Sequence, residues 1–101
     1  MGLIKVASRK DLASGEKMGA KAGRKKILLA NLNGEFFGIG NVCTHMGCVL
    51  SEGDIIGEGI ECPCHGSIFD VKTGKVLKGP AKKPAPVFKV KIEGDEIFVD
   101  V

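Results

Sequence analysis

Apolar and polar residues alternate along this chain with the two-residue period of β-strands. Residues 88–92 alternate apolar side chains with lysines, and the alternation resumes at 97–101 after a turn at Gly94-Asp95. Asn33-Gly34 separates an apolar run at 26–32 from a second one at 35–42 and is the strongest short hairpin signal in the sequence. No segment keeps a helical period for ten residues, although Ser8–Asp11 resembles a capping box and predicts one helical turn that ends at Ser14-Gly15.

Other short apolar segments, bounded by glycine or proline, predict further strands. They lie at residues 2–6, 16–21, 60–61, 67–70 and 75–77. Many short strands at 8–12-residue spacing are typical of an antiparallel β-sandwich or barrel. The chain has 101 residues, of which 44% are hydrophobic, which suits one domain with a core. We therefore predict a single all-β domain over residues 1–101.

Charge and hydropathy exclude several classes of function. The net charge of +3 is mild and the lysines are spread along the sequence, without the aromatic residues of a nucleic-acid platform. No apolar run approaches the roughly 20 residues that span a bilayer. Residues 1–6 lack a signal-peptide core. We expect a cytoplasmic protein that neither binds nucleic acid nor spans a membrane.

All the cysteines and histidines of the chain fall within two hexapeptides, residues 43–48 (CTHMGC) and 62–67 (CPCHGS). Thiolate and imidazole ligands together select zinc, copper or iron–sulfur chemistry rather than calcium or magnesium. A structural zinc site could use four of these six side chains. Zinc sites usually contain Cys-x-x-Cys pairs, whereas the pairs here are Cys-x-x-x-x-Cys and Cys-x-Cys. Iron–sulfur chemistry is therefore favoured, with a zinc site as the remote alternative.

The spacing Cys-x-His followed by Cys-x-x-His, with an additional cysteine in each half, resembles the Rieske iron–sulfur family. The resemblance implies one 2Fe–2S cluster per chain, with Cys43 and Cys62 on one iron and His45 and His65 on the other. It also implies a Rieske-type antiparallel β-sandwich or barrel. In that fold a cluster-binding subdomain of two loops, about residues 42–81, is inserted in a β base domain.

The family resemblance extends to residues around the ligands. It implies a disulfide between Cys48 and Cys64 that ties the two loops together. Met46 matches a position that packs over the cluster, although ordinary core packing is an alternative. Gly47 and Gly66 are expected to supply the backbone freedom that lets amides approach the cluster sulfurs.

Three later residues are also candidates for tuning or covering the cluster. Ser67 is expected to donate its hydroxyl to a bridging sulfide, the alternative being a turn cap. Phe69 stands where quinol-oxidising Rieske subunits usually carry a tyrosine. Pro80 belongs to a loop that covers one side of the cluster in the family, or else to an ordinary turn between strands.

The resemblance implies a soluble one-electron carrier, most similar to small archaeal Rieske ferredoxins such as sulredoxin. Residues 50–53 and 69–76 look like the ferredoxin components of ring-hydroxylating oxygenases, which usually lack Cys48 and Cys64. That cysteine pair and Ser67 look instead like Rieske subunits of quinol–cytochrome oxidoreductases. An oxygenase ferredoxin and a soluble fragment of such a subunit are therefore the alternatives.

Catalysis by the chain itself is not expected. An oxygenase active site needs two further histidines and a carboxylate, whereas both histidines of this chain already belong to the cluster motif. The sequence also lacks a dinucleotide fingerprint. We therefore expect redox protein partners: a reductase as donor, and an oxygenase or a cytochrome as acceptor.

Overall fold

Ten short strands, all paired antiparallel, form the framework of the computed structural model, which describes residues 2–44, 47–64 and 66–101. In chain order they are β1 Leu3–Ser8, β2 Lys17–Ala22, β3 Lys25–Leu32, β4 Glu35–Gly40, β5 Asp54–Ile56, β6 Gly59–Glu61, β7 Ile68–Asp70, β8 Val76–Lys78, β9 Val87–Glu93 and β10 Glu96–Asp100. Two 3₁₀ helices, Arg9–Asp11 and Leu50–Glu52, complete the structure. The predicted all-β fold is confirmed. Within the described ranges, no helix is long and apolar enough to cross a membrane.

The larger sheet has six strands in the order β1-β10-β9-β4-β3-β2. β1 and β2, at the two ends of this order, also contact each other, so the sheet curls towards a barrel. The β3–β4 hairpin turns at Asn33 and Gly34, whose φ angles of 56° and 91° are those of a type I′ turn. Both this hairpin and the C-terminal β9–β10 hairpin were predicted and are confirmed.

β3 separates two hydrophobic cores, and this explains its unbroken apolar run. Ile27 and Leu29 lie in one core, together with Leu12 and residues of β10. Leu28 and Ala30 point to the other face of the strand and lie in the second core. We call the second core the site core, because it also contains two cysteines of the hexapeptides.

The smaller sheet has four strands in the order β5-β6-β7-β8, and it supports the second hexapeptide between β6 and β7. The strands expected at 67–70 and 75–77 are present as β7 and β8, which pair as a hairpin. β5 and the helix Leu50–Glu52 were not predicted, because three glycines interrupt the alternation between Leu50 and Glu61. The structure instead turns a β5–β6 hairpin at Gly57, which has a φ of 61°.

Several predicted strand boundaries differ from the structure by one or two residues, and two boundaries have an identifiable local cause. The first helical turn ends at Asp11, not at Ser14-Gly15, although the Ser8 N–H does donate to the Asp11 carboxylate at 3.1 Å as a capping box requires. β4 ends at Gly40 rather than at residue 42: the Asn41 N–H still donates to the Lys26 carbonyl of β3 at 3.0 Å, but the Asn41 carbonyl accepts from the Leu50 N–H at 2.8 Å instead of continuing the ladder. The Asn41 side-chain oxygen accepts a hydrogen bond from the Ser51 N–H at 2.8 Å, which turns the chain towards the first hexapeptide.

Candidate metal centre

The first hexapeptide is a closed loop on an antiparallel base. Val42 and Val49 form an isolated bridge on either side of it. Inside the bridge, the Cys43 N–H donates to the Cys48 carbonyl at 2.7 Å, and the Gly47 N–H donates to the Cys43 carbonyl at 2.9 Å. Gly47 has a φ of 73°, a conformation that glycine adopts readily. The positive φ therefore closes the loop onto the carbonyl of its own first cysteine.

The second hexapeptide repeats this hydrogen-bonding pattern. Glu61 and Ile68 are paired at its base. The Cys62 N–H donates to the Ser67 carbonyl at 2.7 Å, and the Gly66 N–H donates to the Cys62 carbonyl at 3.1 Å, with Gly66 at a φ of 77°. The backbone freedom expected of the two glycines is present, and their own amides bind cysteine carbonyls. The approach of other amides to cluster sulfurs stays a prediction.

The four cysteines divide into one bonded pair and two free thiols. Cys48 and Cys64 form a disulfide with their Cα atoms 6.5 Å apart, so the predicted pairing is confirmed. Cys43 and Cys62, the first residues of the two hexapeptides, are free, buried to 2% exposure and part of the site core. The Cys62 Sγ lies within 4.8 Å of both disulfide sulfurs. The fold therefore brings the two hexapeptides together and leaves one buried thiol at the same position of each.

Two of the four predicted ligands, His45 and His65, lie outside the described residues. Met46, which was expected to pack over the cluster, also lies outside them. Their assignments stay predictions. The structure describes the residues on either side of these positions, with the closing hydrogen bonds and the disulfide.

Ser67 is buried, with 0% exposure, and connects the second hexapeptide to the proline-bearing loop. Its Oγ accepts a hydrogen bond from the Ala81 N–H at 3.0 Å. A hydroxyl that accepts one bond can still donate its own hydrogen. Donation to a bridging sulfide is thus compatible with this contact, and it stays a prediction.

The proline-bearing loop, residues 79–86, is fastened to both hexapeptides. Besides the Ala81–Ser67 bond, the Thr44 hydroxyl donates to the Lys83 carbonyl at 2.6 Å. Pro80 follows a cis peptide bond and is itself exposed. The sequence reasoning missed Thr44 and Ala81, and a hydroxyl residue inside the first hexapeptide was the available signal for Thr44. The loop is therefore more than a simple turn between strands.

Phe69 lies at the centre of the site core and is fully buried. It follows the second hexapeptide on β7, where it is paired with Ile60 of β6. Its aromatic ring is thus part of the site core, and its role in place of the family's tyrosine stays a prediction.

The turn between β7 and β8 contains a lysine with a raised pKa. The Lys72 ammonium donates to the Glu58 carboxylate at 3.1 Å, and this hydrogen bond together with the charge of Glu58 raises the pKa of Lys72. The same ammonium lies 5.5 Å from the centroid of the Phe37 ring. The two hexapeptides themselves contain no Asp, Glu, Lys or Arg.

Comparison with known proteins identifies the same family in a domain model and in individual relatives. The family model of the Rieske [2Fe-2S] domain matches residues 2–89. The ferredoxin component of biphenyl 2,3-dioxygenase from Rhodococcus jostii (strain RHA1) is 42% identical over 101 residues, which covers 100% of this chain and 94% of that protein.

Two solved structures are also similar. The ferredoxin of carbazole 1,9a-dioxygenase from Nocardioides aromaticivorans IC177 has a TM-score of 0.93 and 28% identity, over 98% of this chain and 97% of that one. A chain in the complex of reduced oxygenase and oxidized ferredoxin of carbazole 1,9a-dioxygenase has a TM-score of 0.89 and 32% identity, over 96% of this chain and 91% of that one.

Proposed function

The chain belongs to the Rieske [2Fe-2S] domain family, and we propose that it is a one-electron carrier whose cluster is held by Cys43, Cys62, His45 and His65. The observation that carries this assignment is the division of the cysteines. The two free thiols are buried at equivalent positions of twin loops, and the other two cysteines are consumed by a disulfide that holds those loops together.

The residues present fit the cofactor chemically. Cys43 and Cys62 are each about 2% exposed, in a core otherwise built from apolar side chains. Thiolates placed there suit a soft metal centre and are shielded from water and oxidants. When bound, a Rieske cluster supplies reversible one-electron chemistry at a higher potential than a four-cysteine cluster, because two neutral imidazoles replace two thiolates.

The surrounding residues have a supporting role in this proposal. The Ser67 hydroxyl is held in place by the Ala81 N–H. Its hydrogen would donate to the cluster and favour the more negative, reduced state. Thr44 and the proline-bearing loop restrain the first hexapeptide. The restraint keeps the ligand geometry similar in both redox states, which favours fast electron transfer.

We further propose that the acceptor is a ring-hydroxylating oxygenase. The support comes from the relatives, which are bacterial ferredoxin components of biphenyl and naphthalene dioxygenases, and from the ferredoxin of carbazole 1,9a-dioxygenase, which was solved together with its oxygenase. The sequence analysis had ranked this role behind a small archaeal carrier. In either role the chain is not itself an enzyme, and a separate reductase supplies its electrons.

Metal analysis tests the proposal against a structural zinc site. The purified protein should be red-brown, contain two irons and two acid-labile sulfides per chain, and be reduced by one electron. Cys43→Ser should abolish the colour. A matched variant, Cys48→Ala/Cys64→Ala, should keep both irons. A colourless protein with one zinc per chain, or loss of iron in the matched variant only, would refute the assignment.

A further inference from the structure

Two open hollows flank the first hexapeptide at its base. One, of about 440 Å³, is lined by Val42 together with the side chains of Pro86 and Phe88. The other, of about 450 Å³, is lined by Thr44 and Pro80. Cys43, the buried candidate ligand, lies between Val42 and Thr44 in the chain. Each hollow is therefore lined by one of the two residues that flank this buried cysteine.

Basic side chains surround these hollows. We call them the basic collar: Arg24, Lys25 and Lys26 line the first hollow, and Lys82 and Lys83 line the second. All five residues are exposed. Among the described residues, no acidic side chain lines either hollow, and none of the five cations is in an ion pair.

The collar has its origin in an uneven placement of charge along the sequence. The segment between Glu16 and Glu35 contains five basic residues and no acid, and the segment between Asp70 and Glu93 contains seven lysines and no acid. Residues 36–51 contain no Lys, Arg, Asp or Glu at all. Of the twelve basic residues in these two segments, five line the two hollows beside the uncharged first hexapeptide.

The acids are concentrated elsewhere on the surface. A third hollow is lined by three acids and one base, Asp11, Glu16, Asp54 and Lys17, and a fourth by two acids and one base, Glu35, Glu58 and Lys72. Beside the second hexapeptide, the half-buried Glu61 has a carboxylate oxygen 3.9 Å from the Cβ position of Gly66. The five basic side chains thus line the two hollows that contain Val42 and Thr44, at the start of the first hexapeptide.

We propose that the basic collar and the apolar surface it surrounds form the docking site for an acidic face of a redox partner protein. This inference rests on the proposed electron-carrier function and specifies the chemistry of the partner. Val42 is 39% exposed and Phe88 is half-buried, so the surface has an apolar centre with a charged rim, as transient protein interfaces do. The collar would attract an acidic partner over a distance and orient the first hexapeptide towards it.

A partner protein fits this surface better than a nucleic acid. Single-stranded nucleic acids need aromatic side chains on which bases can stack, and Phe88 is the aromatic residue among the lining side chains. That ring is itself covered by the Lys25 ammonium, 5.7 Å from its centroid.

Stopped-flow electron transfer to two cytochromes of opposite charge tests the proposal. The reduced holoprotein is mixed with ferric cytochrome b5, which is acidic, or with ferric cytochrome c, which is basic, at low and at high ionic strength. The wild-type rate with cytochrome b5 should fall as salt is added, because the attraction is screened. Lys82→Glu/Lys83→Glu and Arg24→Glu/Lys26→Glu should each lower that rate at low salt by roughly tenfold or more, and each should raise the rate with cytochrome c.

The matched control is Lys10→Glu/Lys91→Glu, which changes the net charge by the same amount far from the collar. β9 lines the first hollow at Phe88, and Lys91, which is paired with Glu93, is three residues further on, about 10 Å along the strand. Lys10 lies in the first 3₁₀ helix, next to the turn that follows β9. The control should change the cytochrome b5 rate less than about threefold. All variants should retain the visible spectrum and midpoint potential of the wild type. The Thr44 hydroxyl binds the backbone carbonyl of Lys83, which a side-chain substitution leaves in place.

Three results would overturn the proposal. The first is an equal loss of rate in the collar and control variants, which would reduce the effect to net charge. The second is an unchanged rate in both collar variants. The third is binding of a DNA duplex or of phosphatidylserine vesicles that is lost in the collar variants while their cytochrome rates are unchanged. A protein that carries no cluster and reduces neither cytochrome would instead refute the proposed function itself.

Discussion

Removal of the Cys48–Cys64 disulfide should lower the stability of the protein without removing its metal. The bridge joins two loops at a sequence separation of 16. For a closed loop of this size, the chain-entropy relation gives a stabilisation of about 3 kcal/mol through the restricted unfolded state. Cys48 is half-buried and Cys64 is exposed, so truncation to alanine removes little packing. The entropic contribution therefore dominates the expected loss.

The assay is urea unfolding of wild type and of Cys48→Ala/Cys64→Ala, followed by circular dichroism at equal iron content. Urea m-values of roughly 1–3 kcal/mol per molar convert about 3 kcal/mol into a midpoint that is lower by about 1–3 M. Reduction of the wild-type disulfide should shift its midpoint towards that of the variant and leave the variant unchanged. Two coincident unfolding curves would refute this reasoning. Loss of iron with unchanged stability of the metal-free chains would mean that the pair are ligands.

Four further predictions concern tuning, proton coupling and close packing. Ser67→Ala should lower the midpoint potential by roughly 40 mV, the equivalent of about 1 kcal/mol of redox-dependent hydrogen bonding. It should also destabilise the fold by about 1–3 kcal/mol, because a buried N–H loses its acceptor. Voltammetry measures the first effect and urea unfolding the second, and unchanged values would contradict the role given to the hydroxyl. Phe69→Tyr should raise the potential by tens of millivolts, and a new hydroxyl within hydrogen-bond distance of a cysteine sulfur at unchanged potential would refute that account. The potential should fall at alkaline pH, because reduction raises the pKa of the iron-bound imidazoles and takes up protons; a potential flat from neutral to alkaline pH would oppose exposed imidazole edges. Gly53→Ala should lower the free energy of unfolding by about 3 kcal/mol or more, because the added Cβ would overlap the Glu61 carbonyl oxygen. Gly57→Ala has open space around it and should lower the free energy of unfolding by only about 1–2 kcal/mol, because of its positive φ.

Local features of the fold were predictable because local chemistry determines them. Asn33-Gly34 favours a type I′ turn whatever surrounds it, and this turn fixes the β3–β4 register. The alternation in residues 87–93 likewise follows from one half-buried face that packs on a core. By contrast, the strand Asp54–Ile56 is only three residues long and interrupted by glycines, so it depends on its pairing with β6.

The candidate site was predictable where it has a motif and unpredictable where distant segments meet. The hexapeptide spacing identified the family, and the family resemblance implied the disulfide that the structure contains. Nothing in the sequence indicates that Thr44 reaches Lys83, 39 residues away, or that Ser67 accepts the Ala81 amide. The basic collar was missed for the same reason, since its two halves are separated by more than fifty residues in the sequence.

Pulsed electron paramagnetic resonance of the reduced protein, prepared with ¹⁵N-labelled histidine, tests the central claim most directly. The account predicts a signal from one unpaired electron per chain, with couplings to two directly bound histidine nitrogens assigned to His45 and His65. Replacing either histidine with serine should remove one coupling or the cluster itself. A signal without nitrogen couplings, or a protein that gives no signal and contains zinc, would contradict the account.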